Sequence, residues 1–258
     1  MGQKLVTVVI PIHLEEPSEL EKVSLTQTLR VLNKFPITFL TKQGINTSWY
    51  EEFCKGKATI HFERFKWQGA FEFGKLMINH EFYRRMIGYE YILICHLDAF
   101  VFRDELERWC HLDYDYIGSV IYNPTWYGST RTIKRWLGFT SPEYYSNGGF
   151  SLKKVESFYK ITYKYRRYIF LWLWLRTARK QTFFDDIFIA ERFPTLGDFV
   201  MPTLSNAARF GAAYEYWDER LLPFTTKDPE SLPFGIHGWI QYHPEYWKPY
   251  FRELGYDV

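Results

Sequence analysis

Apolar positions near the N-terminus come in short unbroken blocks, with helical spacing between them. Leu5–Ile12 (LVTVVIPI) is a continuous, largely β-branched run, the pattern of a strand buried on both faces of a parallel sheet. Ser18 and Glu21 stand at capping-box spacing and Leu25, Leu29 and Leu32 repeat at helical intervals, which predicts a helix over 18–34. Pro36 ends it, and Ile37–Leu40 predicts a second strand. Phe73, Leu76, Met77, Tyr83 and Met86 predict a helix over 70–87. Tyr91–Cys95 (YILIC) follows as a buried strand, Asp104–Trp109 as a short helix and Tyr116–Ile121 as another strand. Asn123–Tyr145 is rich in Gly, Pro, Thr and Trp and reads as a long loop. Lys153–Lys180 and Phe184–Phe193 read as helices, and the chain after Pro194 as short strands and turns. This alternation predicts an α/β fold in one domain, 1–258, its sheet covered by helices on both faces. Ligands of such sheets bind at the carboxyl ends of strands, so the residues after Ile12, Leu40 and Cys95 carry most weight.

Composition narrows the function classes. A net charge of +2 argues against a dedicated nucleic-acid binder. With 47% hydrophobic residues the chain can bury a core. Aromatic residues reach 21%, to be divided between the core and ring faces for stacking on sugars or bases. Cys54, Cys95 and Cys110 lack metal-binding spacing and cannot all pair, which points to a reduced compartment and a cytoplasmic location. The first apolar run is too short for a secretory signal, and Val6 excludes a myristoylation motif at Gly2.

Five constellations could carry chemistry. His96 and Asp98 follow the strand Tyr91–Cys95, where Asp98 either holds a metal or hydroxyl or caps a turn. Asn147, Gly148 and Gly149 let backbone approach a ligand closely or simply turn the chain. Asp185 and Asp186 precede an apolar helix and serve either as a base or as acidic residues at a helix N-terminus. His237 lies between glycines and before Trp239, with Lys248 further on; these could complete a metal site and neutralise phosphate. Finally, Lys160–Lys180 is basic at its ends and apolar in the middle. It reads as a core helix with solvated ends or as a helix lying on an anionic membrane.

Together the segments VVIPIH, YEYILICHLDAFVFRDEL, NGGFSLKKV, DDIF and LPFGIHGW resemble a bacterial family of unknown-function domains similar to glycosyltransferases of the GT-A type, from Val6 to Pro249. The resemblance implies a GT-A-like fold: a mixed, mostly parallel sheet, a Rossmann-like nucleotide-binding half over about 1–122 and an irregular acceptor-binding half over 123–258. It implies transfer of a sugar from a nucleotide-diphosphate sugar, such as a UDP-sugar, to a saccharide or lipid-linked acceptor. Peripheral contact with the inner face of the membrane would run through the 160–180 helix. Where such enzymes carry Asp-x-Asp, this chain has His96-x-Asp98, so Asp98, His237 and His96 become the ligands for Mn²⁺ or Mg²⁺. Pro11, Ile12, His13, Glu15 and Thr41 fall where base and ribose are held, and Asn147, Gly148 and Gly149 where the donor sugar lies. Lys75 and Lys248 fall on the diphosphate side; Gly74–Lys75 replaces the family's Asn-Arg. Asp185–Asp186 matches the Glu-Asp of inverting enzymes, with Asp186 as base and Asp185 one methylene shorter than the usual Glu. A retaining transferase and a non-catalytic sugar-nucleotide or glycan-binding protein are the alternatives.

Overall fold

A computed structural model describes residues 3–67, 69–121, 144–178, 183–213, 232–242 and 244–258. The first strand, β1 (Lys4–Ile12), leads into α1 (Glu19–Leu32) through the predicted capping box: the Glu21 amide donates to Ser18 Oγ and the Ser18 amide to Glu21 Oε2. β2 (Ile37–Lys42) follows, then a short helix α2 (Ser48–Cys54) and β3 (Ile60–Phe65). The hydrophobic pattern does not announce β3, because it is a sheet-edge strand with most of its side chains only partly covered. The single helix expected over 70–87 is two, α3 (Gly69–Met77) and α4 (His80–Arg85). Asn79 breaks it, its side chain accepting the Glu81 amide as a new N-cap.

β4 (Tyr89–Cys95), β5 (Ala99–Val101), α5 (Leu106–Cys110) and β6 (Tyr116–Ile121) come next. Of the expected loop Asn123–Tyr145, residues 123–143 lie outside the described ones, and Tyr145 already begins β7 (Tyr145–Lys154). Asn147–Gly149 therefore lies within a strand, and so does Lys153, which the apolar pattern assigns to a helix. The helix expected over Lys153–Lys180 is two, α6 (Val155–Lys164) and α7 (Arg166–Ala178), with residues 179–180 outside the described ones. α8 (Asp185–Leu196) carries Pro194 in its last turn, so the helix runs on past the proline at the cost of the bond its missing amide would have made. Beyond it, α9 (Leu204–Phe210), β8 (Gly211–Ala213), β9 (Gly235–His237) and α10 (Pro244–Glu253) add two helices where only strands and turns were expected.

Among the described residues one sheet carries all nine strands, in the order β3-β2-β1-β4-β7-β6-β8-β9-β5. β3, β2, β1 and β4 are parallel. β7 runs antiparallel between β4 and β6, and β9 pairs parallel with β8 and antiparallel with β5. The sheet is thus mixed and mostly parallel on its N-terminal side. Successive residues of β4 point to opposite faces: Tyr91, Leu93 and Cys95 pack beneath α1 and α5, and Ile92 and Ile94 pack against α4, α6 and α8. Many of the aromatic side chains among the described residues enter these cores. Phe158 alone lies against Tyr83, Tyr116, Phe193 and Phe199. A third cluster stacks Phe100 on Phe251 with ring centroids 3.9 Å apart and buries Trp239 and Trp247. The Trp239 indole donates to Ser24 Oγ, tying the C-terminal segment to α1.

Candidate active site

β4 is parallel to β1, so its carboxyl end opens at the same edge of the sheet as that of β1. His96 leaves that end with its amide bonded to the Gly149 carbonyl of β7, 2.8 Å away. Two residues on, the Asp98 carbonyl accepts the amides of Gly238 and Trp239. Gly238 has φ of +79°, a left-handed conformation that favours glycine. The short ladder between β5 and β9 sets Ala99 opposite His237. Side chains separated by about 140 positions in sequence are brought together in this way: His237 Nε2 lies 3.1 Å from Asp98 Oδ1, and the His96 and His237 ring centroids are 5.4 Å apart. One donor atom from each of His96, Asp98 and His237 lies within 4.8 Å of the others.

Space for this cluster depends on Gly149. A Cβ there would stand 2.0 Å from His237 Nε2. Gly149 is held in turn by its own amide, which donates to Asn147 Oδ1. Burial, reinforced by the neighbouring His237, lowers the His96 pKa to about 4 and keeps the imidazole neutral at neutral pH. Burial opposes the charge of Asp98 as well, but His237 at hydrogen-bond distance outweighs it and holds the carboxyl well below the usual carboxylate range. His96 Nε2 is buried and makes no hydrogen bond among the described residues. A neutral imidazole with an unused lone pair, a second imidazole and an ionised carboxylate form a donor set that fits a divalent cation. Two nitrogens favour a first-row transition ion over Mg²⁺.

A cavity of about 630 Å³ opens beside the cluster. Its walls include Pro11 near the end of β1, His13 just after it, Lys42 at the end of β2, Trp67, Phe73, His96, Asp98 and Gln241. Ile12, between Pro11 and His13, points into the core and is fully buried. Thr41 is also buried, and its neighbour Lys42 takes the cavity wall in its place. Glu15 lies outside the lining and accepts the Asn46 amide in an exposed loop. Lys75 stacks over the Phe71 ring, and Lys248 pairs with Glu245 one helical turn away; neither lines the cavity.

Asp185 and Asp186 open α8 and meet β7 at the residue next to Gly149. The Asp185 carboxylate lies against two glycines: a Cβ on Gly74 would be 3.3 Å from Oδ1, and one on Gly148 would be 3.4 Å from Oδ2. Gly148 and Gly149 thus give close approach to the acid pair and to the histidine cluster, respectively. Asp186 Oδ1 accepts the Ile187 amide at the helix N-terminus. Lys153 is the site residue that sequence reasoning misses. It is fully buried, its Nζ 4.0 Å from Asp185 Oδ2 and facing the rings of Tyr116 and Phe158. Burial lowers the Lys153 pKa while Asp185 and Asp186 oppose the shift; burial raises that of Asp185 while Lys153 opposes it. The alternation in FSLKK holds the missing signal: Phe150 and Leu152 share one face of β7, which turns Lys153 inward on the other.

No curated protein sequence matches the chain. Among solved structures, mouse xyloside xylosyltransferase 1 in its apo form superposes with a TM-score of 0.58 at 11% identity, over 92% of this chain and 98% of that one. Galactosyltransferase LgtC, in complex with donor and acceptor sugar analogues, gives 0.57 at 15% identity over 96% and 94%. Core-mannan synthase A of Aspergillus fumigatus, in a Mn/GDP form, gives 0.50 at 10% identity over 80% and 82%. At these identities the likeness is one of fold, and the fold is that of GT-A glycosyltransferases. Residues 59–237, a span that contains His96, Asp98, the Asn147–Gly149 segment, Lys153 and the acid pair and ends on His237, match a family described as a protein of unknown function (DUF5672), and the chain belongs to that family.

Proposed function

We propose that this protein is a glycosyltransferase that draws a sugar from a nucleotide-diphosphate donor and transfers it to a hydroxyl of a saccharide or lipid-linked acceptor. The observation that carries the reading is the His96–Asp98–His237 cluster at the carboxyl end of β4, opening on the 630 Å³ cavity. A divalent cation held by these three residues would neutralise the diphosphate leaving group. Pro11, His13 and Lys42 border the cavity beyond the cluster and are assigned to the nucleoside; Trp67 and Phe73 offer ring faces. Residues 1–122 supply most of this donor side, and the chain from 123 onward supplies the acceptor side.

On the acceptor side Asp186 acts as general base, taking the proton of the attacking hydroxyl in a single inverting displacement. Lys153 opposes the neutralisation that burial imposes on the inner carboxylate, Asp185. One observation favours a second reading. It is Asp185, rather than Asp186, that presses against Gly148, and a carboxylate facing an ammonium is a poor base but a good electrostatic partner for a positively charged sugar. In that reading transfer proceeds with retention and Asp186 is dispensable.

The test is a thermal-shift screen of nucleoside diphosphates and nucleotide sugars, UDP-sugars first, with and without Mn²⁺. The expected result is a rise in Tm with one nucleotide, dependent on the metal and lost in Asp98→Ala. No shift with any nucleotide overturns the donor site and leaves a glycan-binding role to be probed on arrays. With a donor in hand, the anomeric configuration of the product and the activity of Asp186→Asn decide between inversion and retention.

A further inference from the structure

α7 is apolar on two sides. Ile169, Trp172 and Leu173 face inward, Trp172 lying 4.5 Å from Phe188 and 5.4 Å from Phe183 between ring centroids. Phe170, Leu171, Trp174 and Leu175 recur at the spacing of a single helical stripe, and this stripe faces solvent. Phe170 is 71% exposed, Trp174 57% and Leu171 54%, although large apolar side chains are normally the first to be buried. A contiguous apolar patch of this kind marks a contact surface.

The charges around the stripe identify the contact. Between Glu156 and Asp185 the chain holds seven Lys and Arg and no Asp or Glu. Arg166 and Arg167 sit exposed at the start of α7; Arg176, at its other end, lies over the Trp172 ring. A second copy docked on the same face would bring arginines against arginines with no carboxylate on the helix to meet them. An anionic bilayer offers what this face lacks: apolar depth for Phe170, Leu171 and Trp174, and negative headgroups for the arginines. At 13 residues the helix is about 20 Å long, too short to span a membrane, and no helix among the described residues is long and apolar enough to do so.

We infer that α7 seats the protein on an anionic membrane surface, with Phe170, Leu171, Trp174 and Leu175 in the headgroup region and Arg166 and Arg167 on the lipid phosphates. The inner side of the helix leads to the site. Trp172 packs on Phe183, whose ring is 3.1 Å from where a Gly74 Cβ would stand, and the same position contacts Asp185. A membrane-seated α7 therefore sets the acid pair near the bilayer, and the acceptor it serves is a lipid-borne hydroxyl. This last step rests on the transferase reading; the membrane contact does not.

The experiment is co-sedimentation of the full chain with phosphatidylcholine vesicles and with vesicles of phosphatidylcholine and phosphatidylglycerol, at low and high salt and without donor or acceptor. The expected result is pelleting with the anionic vesicles, weakened by salt. Arg166→Glu/Arg167→Glu lowers the partition by about five-fold or more for each charge removed. Phe170→Ser/Trp174→Ser lowers it further at unchanged Tm. Both arginines are exposed, so the first variant stays informative if the second fails to fold. Absence of pelleting, equal pelleting with neutral vesicles, or a dimer by light scattering that dissociates in the stripe variant overturns the inference. Because the nucleotide screen contains no lipid and this assay no nucleotide, either reading can fail without the other.

Discussion

Gly149→Ala tests the link between one strand and the chemistry of the cluster. The added methyl would stand 2.0 Å from His237 Nε2, and ordinary contact begins at 3.4 Å, so either the imidazole or β7 must give way. Gly149 lies in the bulge where β7 leaves the β6 ladder between Asn147 and Ser151, but its carbonyl accepts the His96 amide and its amide donates to Asn147 Oδ1. The backbone is therefore held, and the imidazole, turning about its own side-chain torsions, is the partner that moves. Metal–ligand distances tolerate only about 0.2 Å, so a displacement of this size removes His237 from the proposed ligand set. Losing outer partners of a metal site already costs about 10–100-fold in affinity, and losing one of three ligands costs at least as much. At a Mn²⁺ concentration 100 times the native Kd, binding stabilises the protein by about 2.7 kcal/mol, and a 100-fold weaker site leaves about 0.4. For a chain of this size that is a Tm rise of roughly 5–10 °C in the native protein and about 1 °C in the variant.

Gly211→Ala, on β8 and outside the segments that carry His96, Asp98 and His237, is the control. Its methyl meets Ser119 Oγ at 2.6 Å, an overpacking inside the core. It lowers the baseline Tm by the ~1–3 kcal/mol of a strained core and leaves the increment from Mn²⁺ intact. Differential scanning fluorimetry of the three proteins across a Mn²⁺ titration separates loss of fold from loss of site. A Gly149→Ala protein with the native increment would refute both the placement of His237 and its role as a ligand.

Two further outcomes follow from buried titratable groups. Lys153 opposes the upward shift that burial imposes on Asp185, so Lys153→Met raises the Asp185 pKa further. The carboxylate then forms only at higher pH, and the acidic limb of kcat/KM against pH moves upward if Asp185 must be ionised; an unmoved limb removes Asp185 from the rate law. The same substitution leaves the buried Asp185 without the ammonium that opposes its desolvation, so it lowers Tm where Asp185 is ionised, and the loss shrinks as pH falls and the carboxyl protonates. Cys54, Cys95 and Cys110 are free and buried, and burial pushes their thiols up to about 11, 12 and 12. The native protein should leave an aromatic disulfide reagent unreacted at pH 8 and release three equivalents once unfolded; fast reaction in the native state would contradict the packing around them.

The N-terminal half of the fold was legible because its strands are local decisions. β1, β2, β4 and β6 lie inside the sheet, so each is an apolar run, and each is recognised without knowing its neighbours. The capping box at Ser18 is equally local. Misreadings arose where a short polar signal outranked periodicity, as at Asn79, or where half-burial erased it, as in β3. β7 was hidden for another reason. Its Asn147–Gly148–Gly149 carries the composition of a turn, yet these residues are small because two side-chain clusters crowd the strand, from Asp185 on α8 and from His237 on β9. Composition records the crowding and cannot say what causes it.

The same distinction governs the site. The identities of His96, Asp98, His237 and the acid pair were readable as chemistry, but their relations were not. His96 and Asp98 are neighbours along the chain and reach His237 only through the antiparallel pairing of two three-residue strands, β5 and β9. Strands so short carry no periodic signal, and their pairing is enforced from outside, by Phe100 stacked on Phe251 and by Trp239 bonded to Ser24. Lysine in a basic segment reads as surface, and only the alternation of a strand ending at Lys154 turns one of two adjacent lysines, Lys153, inward. The outward one, Lys154, bonds Asp113 near the surface; the inward one faces Asp185. A buried lysine is costly unless something opposite requires its charge. Its place behind Asp185 sets an ammonium against a carboxylate at the start of α8, each opposing the neutralisation that burial imposes on the other.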